Sequence, residues 1–252
     1  MKKLTMLRKL LESTIVNRMQ DDSLSGIKPM KVSLLIPTLN EEGCIGRVLK
    51  EVPRDVVDEI VIIDGHSKDH TETEVKENLR QGDKFIVQKG KGYGAAFLEG
   101  FEVATGDVLI MMDADGSHNP SDIPKLMERV RRGGEYVMVS RYAPGGRSED
   151  DTLIRWFGNR MFTLMTNMIH GTRVTDSLYL FTAITREGLK KLKLTSPGFE
   201  FCTEIVVKAH RAGLKFDEVP AVERARYAGK SKVNAFWHGL KILRMILRRY
   251  RD

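Results

Sequence analysis

The sequence predicts an α/β fold with a mostly parallel central sheet and helices on both faces of that sheet. Apolar runs that favour strands alternate with helical segments, which is the order produced by crossover connections between parallel strands. The strand runs are continuously apolar, as in Ile60-Val61-Ile62-Ile63, so both faces of the sheet should be covered. Polar clusters follow these runs, and in such sheets ligands bind at the carboxyl ends of the strands.

The elements can be assigned in chain order from the apolar periodicity and the turn residues. Strands are predicted over residues 32–36, 60–63, 85–87, 108–112 and 136–139. The intervening helices are predicted over residues 42–51, 69–81, 95–104 and 120–132. The second half is less regular, with helices predicted over residues 152–170, 200–213 and 234–250 and a strand over residues 215–219.

Composition narrows the class of protein. A chain of 252 residues with 41% hydrophobic residues can form one large domain with a real core. The net charge of +7 suits phosphates, nucleic acid or an anionic membrane surface. Nucleic acid is not an expected partner, because aromatic residues make up only 7% of the chain and no RNA- or DNA-binding motif is present. Cys44 and Cys202 form no metal or disulfide pattern and are expected to be buried thiols.

The sequence predicts a cytoplasmic protein that can touch a membrane. No run reaches the roughly 18 apolar residues needed to span a bilayer. Basic residues at Arg8 and Lys9 interrupt the region where a signal peptide would need its apolar core.

Asp113-Ala114-Asp115 is the acidic pattern with the clearest chemistry. It follows the apolar run 108–112, so both carboxylates should stand at the carboxyl edge of the sheet. Carboxylates at i and i+2 can share one hard cation, and Mg²⁺ or Mn²⁺ prefers such oxygen ligands while also binding phosphate oxygens. No bidentate Glu follows at the distance that a calcium EF-hand loop requires. The pattern therefore predicts Asp113 and Asp115 as ligands of Mg²⁺ or Mn²⁺.

The glycine-rich turn Gly90-Lys91-Gly92-Tyr93-Gly94 follows the third predicted strand. It lacks the spacing of a phosphate-binding P-loop, and it does not follow the first strand as a dinucleotide-binding turn would. A plain tight turn and a substrate-side role, with Lys91 near the substrate, both remain open.

These motifs, in this order, resemble family 2 glycosyltransferases of the GT-A fold, and most closely the dolichyl-phosphate mannose synthases and related polyprenyl-phosphate glycosyltransferases. The resemblance covers residues 31–232. It rests on Ile36-Pro37-Thr38-Leu39-Asn40-Glu41-Glu42, Asp64-Gly65-His66-Ser67-Lys68-Asp69-His70-Thr71, Gly90-Lys91-Gly92, Asp113-Ala114-Asp115, Ser140-Arg141-Tyr142 and Arg226-Tyr227-Ala228-Gly229-Lys230-Ser231-Lys232. The chain differs from many members at Gly65, where they carry a second Asp, and over residues 177–181, where a small-Gly-Phe pattern is more usual.

The resemblance implies a site for the nucleotide sugar. Asp64 would contact the base, Asp113 and Asp115 would hold the metal on the diphosphate, and Arg226 and Lys232 would close over that diphosphate. The residues implied to bind the nucleotide sugar are Pro37, Asn40, Glu41, Asp64, Lys91, Asp113, Ala114, Asp115, Arg226 and Lys232.

The resemblance also implies an acceptor site. Arg141 and Arg155 match the arginines that bind the acceptor phosphate, with Asn159 nearby, and Asp115, Arg141 and Arg155 are the predicted catalytic residues. The expected reaction is inverting transfer of a hexosyl or N-acetylhexosaminyl group from a UDP- or GDP-sugar to dolichyl or another polyprenyl phosphate. A saccharide hydroxyl, as in cell-surface polysaccharide assembly, is the alternative acceptor. It would need a carboxylate base, for which Asp176 is the candidate.

The chain is expected to divide into three parts. Residues 1–29 would be an amphipathic helix and linker, residues 30–232 the catalytic domain, and residues 233–252 a basic amphipathic helix. A basic helix that also carries Trp237 can lie in the interface of an anionic membrane or pack on the domain. Together with a lipid acceptor, this predicts a peripheral protein on the cytoplasmic face of the membrane.

Overall fold

A computed structural model describes residues 30–228 and 235–248 of the chain. The strands of these residues are β1 (Val32–Thr38), β2 (Glu59–Asp64), β3 (Lys84–Val87), β4 (Val108–Met111), β5 (Tyr136–Ser140), β6 (Arg147–Ser148), β7 (Thr182–Thr185), β8 (Phe216–Pro220) and β9 (Val222–Glu223). The α-helices are α1 (Ile45–Glu51), α2 (Thr71–Asn78), α3 (Tyr93–Val103), α4 (Ile123–Arg131), α5 (Leu153–His170), α6 (Arg186–Lys190), α7 (Phe201–Arg211) and α8 (Ala235–Ile246).

The main sheet has seven strands in the order β3-β2-β1-β4-β7-β5-β8. Its strands are parallel except β7, which pairs antiparallel with both β4 and β5. The chain builds the sheet outward from β1 in both directions, since β2 lies on one side of β1 and β4 lies on the other. In an open sheet such a change of direction leaves a crevice at the carboxyl ends of the strands, and this is the edge where the polar motifs follow β1, β2 and β4.

Helices α3 and α7 cover one face of the sheet. Phe97 and Phe101 of α3 and Phe201 of α7 form an aromatic layer over the buried side chains of β1, β2, β4 and β5. The alternate strand residues on the other face, such as Leu34 and Ile62, are equally buried. The burial of both faces confirms the expectation drawn from the continuous apolar runs.

Glycines let α3 approach its neighbours closely. A Cβ on Gly100 would lie 2.8 Å from Leu35 Cδ2, so only glycine lets the helix rest directly on β1. At the start of α3, a Cβ on Gly94 would lie 2.3 Å from the carbonyl oxygen of Ser196. The glycine-rich turn is therefore held against the loop that precedes α7.

Helix α5 has an unusual distribution of polarity. Its buried positions include the hydroxyl residues Thr163 and Thr166, whereas Leu153, Phe157 and Leu164 are exposed. Separately, no helix within residues 30–228 and 235–248 is long and apolar enough to cross a membrane.

Candidate active site

The polar motifs meet at the carboxyl edge of β1, β2 and β4. Thr38, the last residue of β1, lies in register with Asp64, the last residue of β2. On the other side of β1, Leu35 lies in register with Met111, which ends β4 two residues before Asp113. Parallel pairing therefore brings together the segments that the sequence predicts to bind a nucleotide sugar.

Asp113 and Asp115 both have one carboxylate oxygen occupied by a neighbouring side chain. The Tyr93 hydroxyl donates to Asp113 Oδ1 at 2.5 Å, and Arg226 Nη1 lies 2.5 Å from Asp115 Oδ2. Asp115 Oδ1 also accepts from the backbone N–H of Ser117 at 2.9 Å. The pair thus stands at the sheet edge as predicted, with a tyrosine and an arginine already fixed against it.

Burial and a neighbouring acid disfavour the ionisation of Asp113. Burial, and secondly the charge of Asp115, raise the pKa of Asp113 to about 7, while the Tyr93 hydrogen bond and Arg226 act in the opposite direction. Concentrated negative charge of this kind favours a bound cation.

His118 contacts both the main chain and the side chain of Asp113. Its Nδ1 accepts the backbone N–H of Asp113 at 3.1 Å, so Nε2, 3.5 Å from Asp113 Oδ2, carries the proton. Burial lowers the pKa of His118 to about 4, and the ring stacks on Phe181. A neutral, stacked histidine orients Asp113 and does not act as an acid at neutral pH.

The segment carrying Arg226 is bound to the acidic turn by its main chain. The backbone N–H of Arg224 donates to the Ser117 carbonyl, and that of Tyr227 donates to the Asp115 carbonyl. The Tyr227 ring covers Gly116, where a Cβ would lie 2.4 Å from the ring. This pairing directs the guanidinium of Arg226 onto Asp115.

Asp150 lies between Arg226 of the predicted donor site and Arg155 of the predicted acceptor site. Its Oδ2 lies 3.2 Å from Nη1 of Arg155 and 3.6 Å from Nε of Arg226. The buried Nε of Arg226 has no hydrogen-bond partner among the described residues. One carboxylate oxygen therefore marks the point where a donor-side cation and an acceptor-side cation meet.

Arg141 is buried and held by acids. Its Nε and Nη2 bind the two oxygens of Asp176 at 2.7 and 3.1 Å, and its Nη1 donates to Glu223 at 3.3 Å. Tyr179 stacks on the guanidinium, whose carbon lies 4.7 Å from the ring centroid. The charges of Asp176 and Glu223 raise the pKa of Arg141 against the effect of burial. Arg141 thus holds Asp176 and Glu223 together within the site, and its contact with an acceptor phosphate remains a prediction.

Asn159, the remaining residue of the predicted acceptor site, belongs to the same network. Its amide nitrogen donates to the Tyr142 hydroxyl at 3.1 Å, and that hydroxyl donates to Asp151 at 2.5 Å. Asp151 also lies 3.9 Å from Arg141. Neighbouring acids at 150 and 151 thus connect all three residues predicted for the acceptor site.

The residues predicted to line the nucleotide pocket hold two loops together. Asn40 accepts the backbone N–H of Lys68 at 2.8 Å, and its own N–H donates to Ser67 at 2.8 Å. The backbone N–H of Glu41 donates to Thr71 Oγ1 at 2.7 Å. Pro37 is half-buried in β1, one residue before the loop. These contacts shape the pocket rim, while any contact with a nucleotide remains a prediction.

Lys91 is exposed on the glycine-rich turn, and Ala114 is buried between the two aspartates. Lys232 and the terminal segment 1–29 lie outside the described residues. The lysine half of the predicted Arg226–Lys232 clamp, and the predicted N-terminal helix, are thus not described.

The donor set at Asp113 and Asp115 fits a hard divalent cation. The oxygens are carboxylates on one turn, and a buried acidic pair is best stabilised by a positive charge. Across residues 30–228 and 235–248, no group of three or more His, Cys, Asp or Glu side chains is arranged to hold a metal ion. Phosphate and water oxygens would therefore have to complete the coordination, as is usual for Mg²⁺ at a diphosphate.

Several site residues escape sequence reasoning. Tyr93, Asp150 and Glu223 contact Asp113, Arg226 and Arg141 through the fold, at separations of 20, 76 and 82 residues along the chain. His118 lies in the acidic motif, but its sequence context is equally typical of a loop histidine.

Comparisons with known proteins agree with this geometry. The model of the glycosyl transferase family 2 matches residues 33–193. The chain is 31% identical over 212 residues to a dolichol-phosphate mannosyltransferase from Pyrococcus furiosus, a match that covers 81% of this chain and 59% of that protein. It is 30% identical over 210 residues to the UDP-N-acetylglucosamine–dolichyl-phosphate N-acetylglucosaminyltransferase from Methanococcus voltae, covering 75% and 84% of the two chains. The chain spans 53% to 65% of the length of three of the curated relatives it matches.

The fold also has solved counterparts. Glucosyl-3-phosphoglycerate synthase from Mycobacterium tuberculosis, solved with Mn²⁺, uridine diphosphate and glucosyl-3-phosphoglycerate, superposes with a TM-score of 0.69 at 19% identity. The superposition covers 89% of this chain and 80% of that one. The family match, the 31% identity to the Pyrococcus furiosus protein and this shared architecture lead to one assignment: the chain belongs to glycosyl transferase family 2 and has the GT-A fold.

Proposed function

We propose that this protein transfers a hexosyl or N-acetylhexosaminyl group, with inversion, from a UDP- or GDP-sugar to dolichyl or another polyprenyl phosphate. The observation that carries this proposal is the position of Arg155. It lies in the first turn of α5, the helix that also carries the apolar side chains of Leu153 and Phe157, which are 87% and 64% exposed. A cation for a phosphate and an exposed apolar face for a lipid chain thus belong to the same helix. The names of the Pyrococcus and Methanococcus relatives support the same acceptor class.

The reaction is a displacement at the anomeric carbon. A phosphate oxygen of the acceptor forms the new bond to that carbon while the bond to the nucleoside diphosphate breaks, and the diphosphate departs with the electron pair. A phosphate monoester is ionised at neutral pH, so it needs no catalytic base. Negative charge develops on the leaving diphosphate, where Arg226 can stabilise it and Arg155 can hold the incoming phosphate.

We assign a Mg²⁺ or Mn²⁺ requirement to the same site. Asp113 and Asp115 would hold the ion, which supplies Lewis-acid stabilisation of the leaving diphosphate. Arg226 now neutralises Asp115, and its proximity allows it to serve the diphosphate as well. The metal found in the mycobacterial neighbour supports this choice of cofactor.

A saccharide hydroxyl is the weaker acceptor candidate, because it needs a carboxylate to remove its proton. Asp176, the candidate base, is fully buried. Both of its oxygens bind the Arg141 guanidinium, and Oδ1 also accepts the backbone N–H of Leu178. A carboxylate held in this way is poorly placed to accept a proton from a substrate.

The decisive experiment compares acceptors. The protein is incubated with radiolabelled UDP- and GDP-sugars, Mg²⁺ or Mn²⁺, and one of three acceptors: a short polyprenyl phosphate, the same polyprenol without phosphate, or an oligosaccharide. We expect labelled lipid only with the polyprenyl phosphate, and its loss on adding EDTA. Transfer to the oligosaccharide alone would disprove the lipid-phosphate proposal, and full activity in EDTA would disprove the metal requirement.

We further propose that the protein works peripherally on the cytoplasmic face of the membrane, with the outward face of α5 in the lipid interface. Leu153, Phe157, Leu164 and Met168 follow one another at intervals of four, seven and four residues along that face, and all four are exposed. The net charge of +7 favours the anionic cytoplasmic leaflet. An exposed apolar helix face on a protein of net positive charge suits binding in a membrane interface.

Removing two of these apolar side chains should weaken membrane binding. The double variant Leu153→Ser/Phe157→Ser is expected to co-float with anionic phospholipid vesicles roughly tenfold less, because each side chain loses its favourable transfer into the interface. Val87→Ser is the matched control, since Val87 is an exposed apolar residue on the distant edge strand β3. Equal co-flotation of both variants and the unaltered protein would count against this membrane face.

A further inference from the structure

Gln88 is a buried amide at the end of β3 that none of the predicted roles uses. It is 5% exposed, and its backbone N–H donates to the carbonyl of Asp64 at 2.8 Å. Its side-chain Nε2 donates to the carbonyl of Gly92 at 2.9 Å. A carbonyl oxygen can only accept a hydrogen bond, so the nitrogen must face Gly92 and the oxygen Oε1 must face away from it.

The oxygen of Gln88 faces the space above Gly65. A Cβ built on Gly65 would lie 3.5 Å from Gln88 Oε1, 3.3 Å from the Thr38 carbonyl and 3.6 Å from Leu39 Cβ. The absence of a side chain at Gly65 therefore leaves a small corner at the carboxyl ends of β1, β2 and β3. Among the described residues no donor reaches Oε1, so this oxygen is available to accept a hydrogen bond from a ligand.

The neighbouring acid Asp64 is already engaged. Its Oδ1 accepts from the hydroxyls of Thr38 at 3.1 Å and Ser67 at 2.6 Å, and its Oδ2 accepts the backbone N–H of Ser67 at 2.9 Å. Those bonds hold the loop that contains His66, whose φ of 65° is in the left-handed region. Asp64 thus maintains the shape of the corner, and Gln88 offers the free acceptor inside it.

We propose that Gln88 Oε1 accepts a base N–H of the nucleotide sugar, with the base lying flat over Gly65 and against Leu39. The inference rests on the proposed function, since it presumes a nucleotide donor. Its ligand is a nucleoside diphosphate whose base carries a ring N–H, such as N3–H of uracil or N1–H of guanine. The second hydrogen of Nε2 can meet the carbonyl oxygen next to that N–H, so the amide matches both atoms of the base edge. In this arrangement Gln88 identifies the base, and Asp64 positions the loop around it.

The test removes the proposed hydrogen bond first from the nucleotide, by methylating the base nitrogen, and then from the protein, by replacing Gln88. Binding of UDP, GDP, N3-methyl-UDP and N1-methyl-GDP is measured by calorimetry, with Mn²⁺ present, for the unaltered protein and for Gln88→Leu. We expect the unaltered protein to bind one parent nucleotide roughly tenfold more tightly than its N-methyl analogue, because methylation removes the N–H. Gln88→Leu should bind the parent and the analogue with equal affinity.

Two further variants separate base recognition from a structural role of Gln88. Gln81→Leu is the matched control, since Gln81 is an exposed glutamine in the turn before β3, and it should retain the full preference for the parent nucleotide. Gly65→Ala should weaken binding of the parent nucleotide, because the added methyl group fills the corner.

The outcomes distinguish this inference from the function on which it rests. If the unaltered protein binds a parent nucleotide and its N-methyl analogue equally, the inference is overturned while the proposed donor survives. The same holds if Gln88→Leu keeps the preference. If the unaltered protein binds neither UDP nor GDP, the proposed function itself fails.

Discussion

Replacing Asp115 with Asn is expected to lower kcat/KM for sugar transfer about a thousandfold. The substitution removes the charge of one of the two carboxylates proposed to hold the cation, and it removes the anionic partner, 2.5 Å away, that orients Arg226. Loss of a single preorganised electrostatic group in an active site commonly costs two to three orders of magnitude in rate, and the metal and Arg226 would be disturbed together here. Initial rates with radiolabelled nucleotide sugar and a polyprenyl phosphate measure the effect.

Mn²⁺ binding provides a second measurement that does not depend on turnover. Titration of Mn²⁺ in the presence of UDP, followed by electron paramagnetic resonance, should show weaker binding to Asp115→Asn. Asp55→Asn serves as the control, because Asp55 is an exposed acid in the loop between α1 and β2. Retention of more than a tenth of the activity by Asp115→Asn would exclude the proposed role of this carboxylate.

Arg141→Met is expected to give the largest loss of stability, about 3–5 kcal/mol at pH 8. Removing the guanidinium leaves Asp176 and Glu223 buried without their counter-charge, which is the costly way to break a buried ion pair. Urea unfolding measures the change. Arg147→Met is the control, because Arg147 is a solvent-exposed arginine whose pairing with Glu149 should contribute within about 1 kcal/mol.

The stability deficit of Arg141→Met should depend on pH in a defined direction. Burial already raises the pKa of Glu223, and Arg141 is the main group that opposes the rise. Without Arg141 the folded-state pKa of Glu223 lies further above its unfolded value, so stability is lost as the pH rises through it. The deficit should therefore be smaller at pH 5 than at pH 8, and a deficit that grows as the pH falls would contradict the assignment of these charges.

The parallel half of the fold could be predicted because its signals are local. Continuous apolar runs at β1, β2 and β4 identify buried strands, and each predicted strand lies within two residues of an observed one. The position of Asp113 and Asp115 after β4 follows from the same signal, since the strand ends where the apolar run ends.

The remaining fold features depend on contacts between distant segments. Strand β7, with the sequence Thr182-Ala183-Ile184-Thr185, has no apolar run, yet it lies antiparallel between β4 and β5. The short helix α6 and the pair β6–β9 are likewise absent from the local pattern. They are stabilised by neighbours that the sequence brings near only through folding.

The same limit applied to the candidate site. The motifs predict which arginines belong to the candidate site, whereas the spacing along the chain does not predict the residues that contact them. Arg141 was expected to face a phosphate, and the structure gives it Asp176 and Glu223 as partners at separations of 35 and 82 residues. The resemblance implies that Asp64 contacts the base, which stays a prediction, and the structure adds Thr38 and Ser67 as partners of its oxygens.

The contact between Gly116 and the Tyr227 ring has a consequence for how this protein can change by mutation. A Cβ at position 116 would overlap the ring, and the φ of 86° at Gly116 disfavours any other residue there. A side chain becomes admissible at 116 only after the ring at 227 has shrunk or moved and the turn has been rebuilt. Evolutionary variation at the acidic turn is therefore constrained by a residue more than a hundred positions away, and substitutions at the two sites have to arise in order, first at 227 and then at 116.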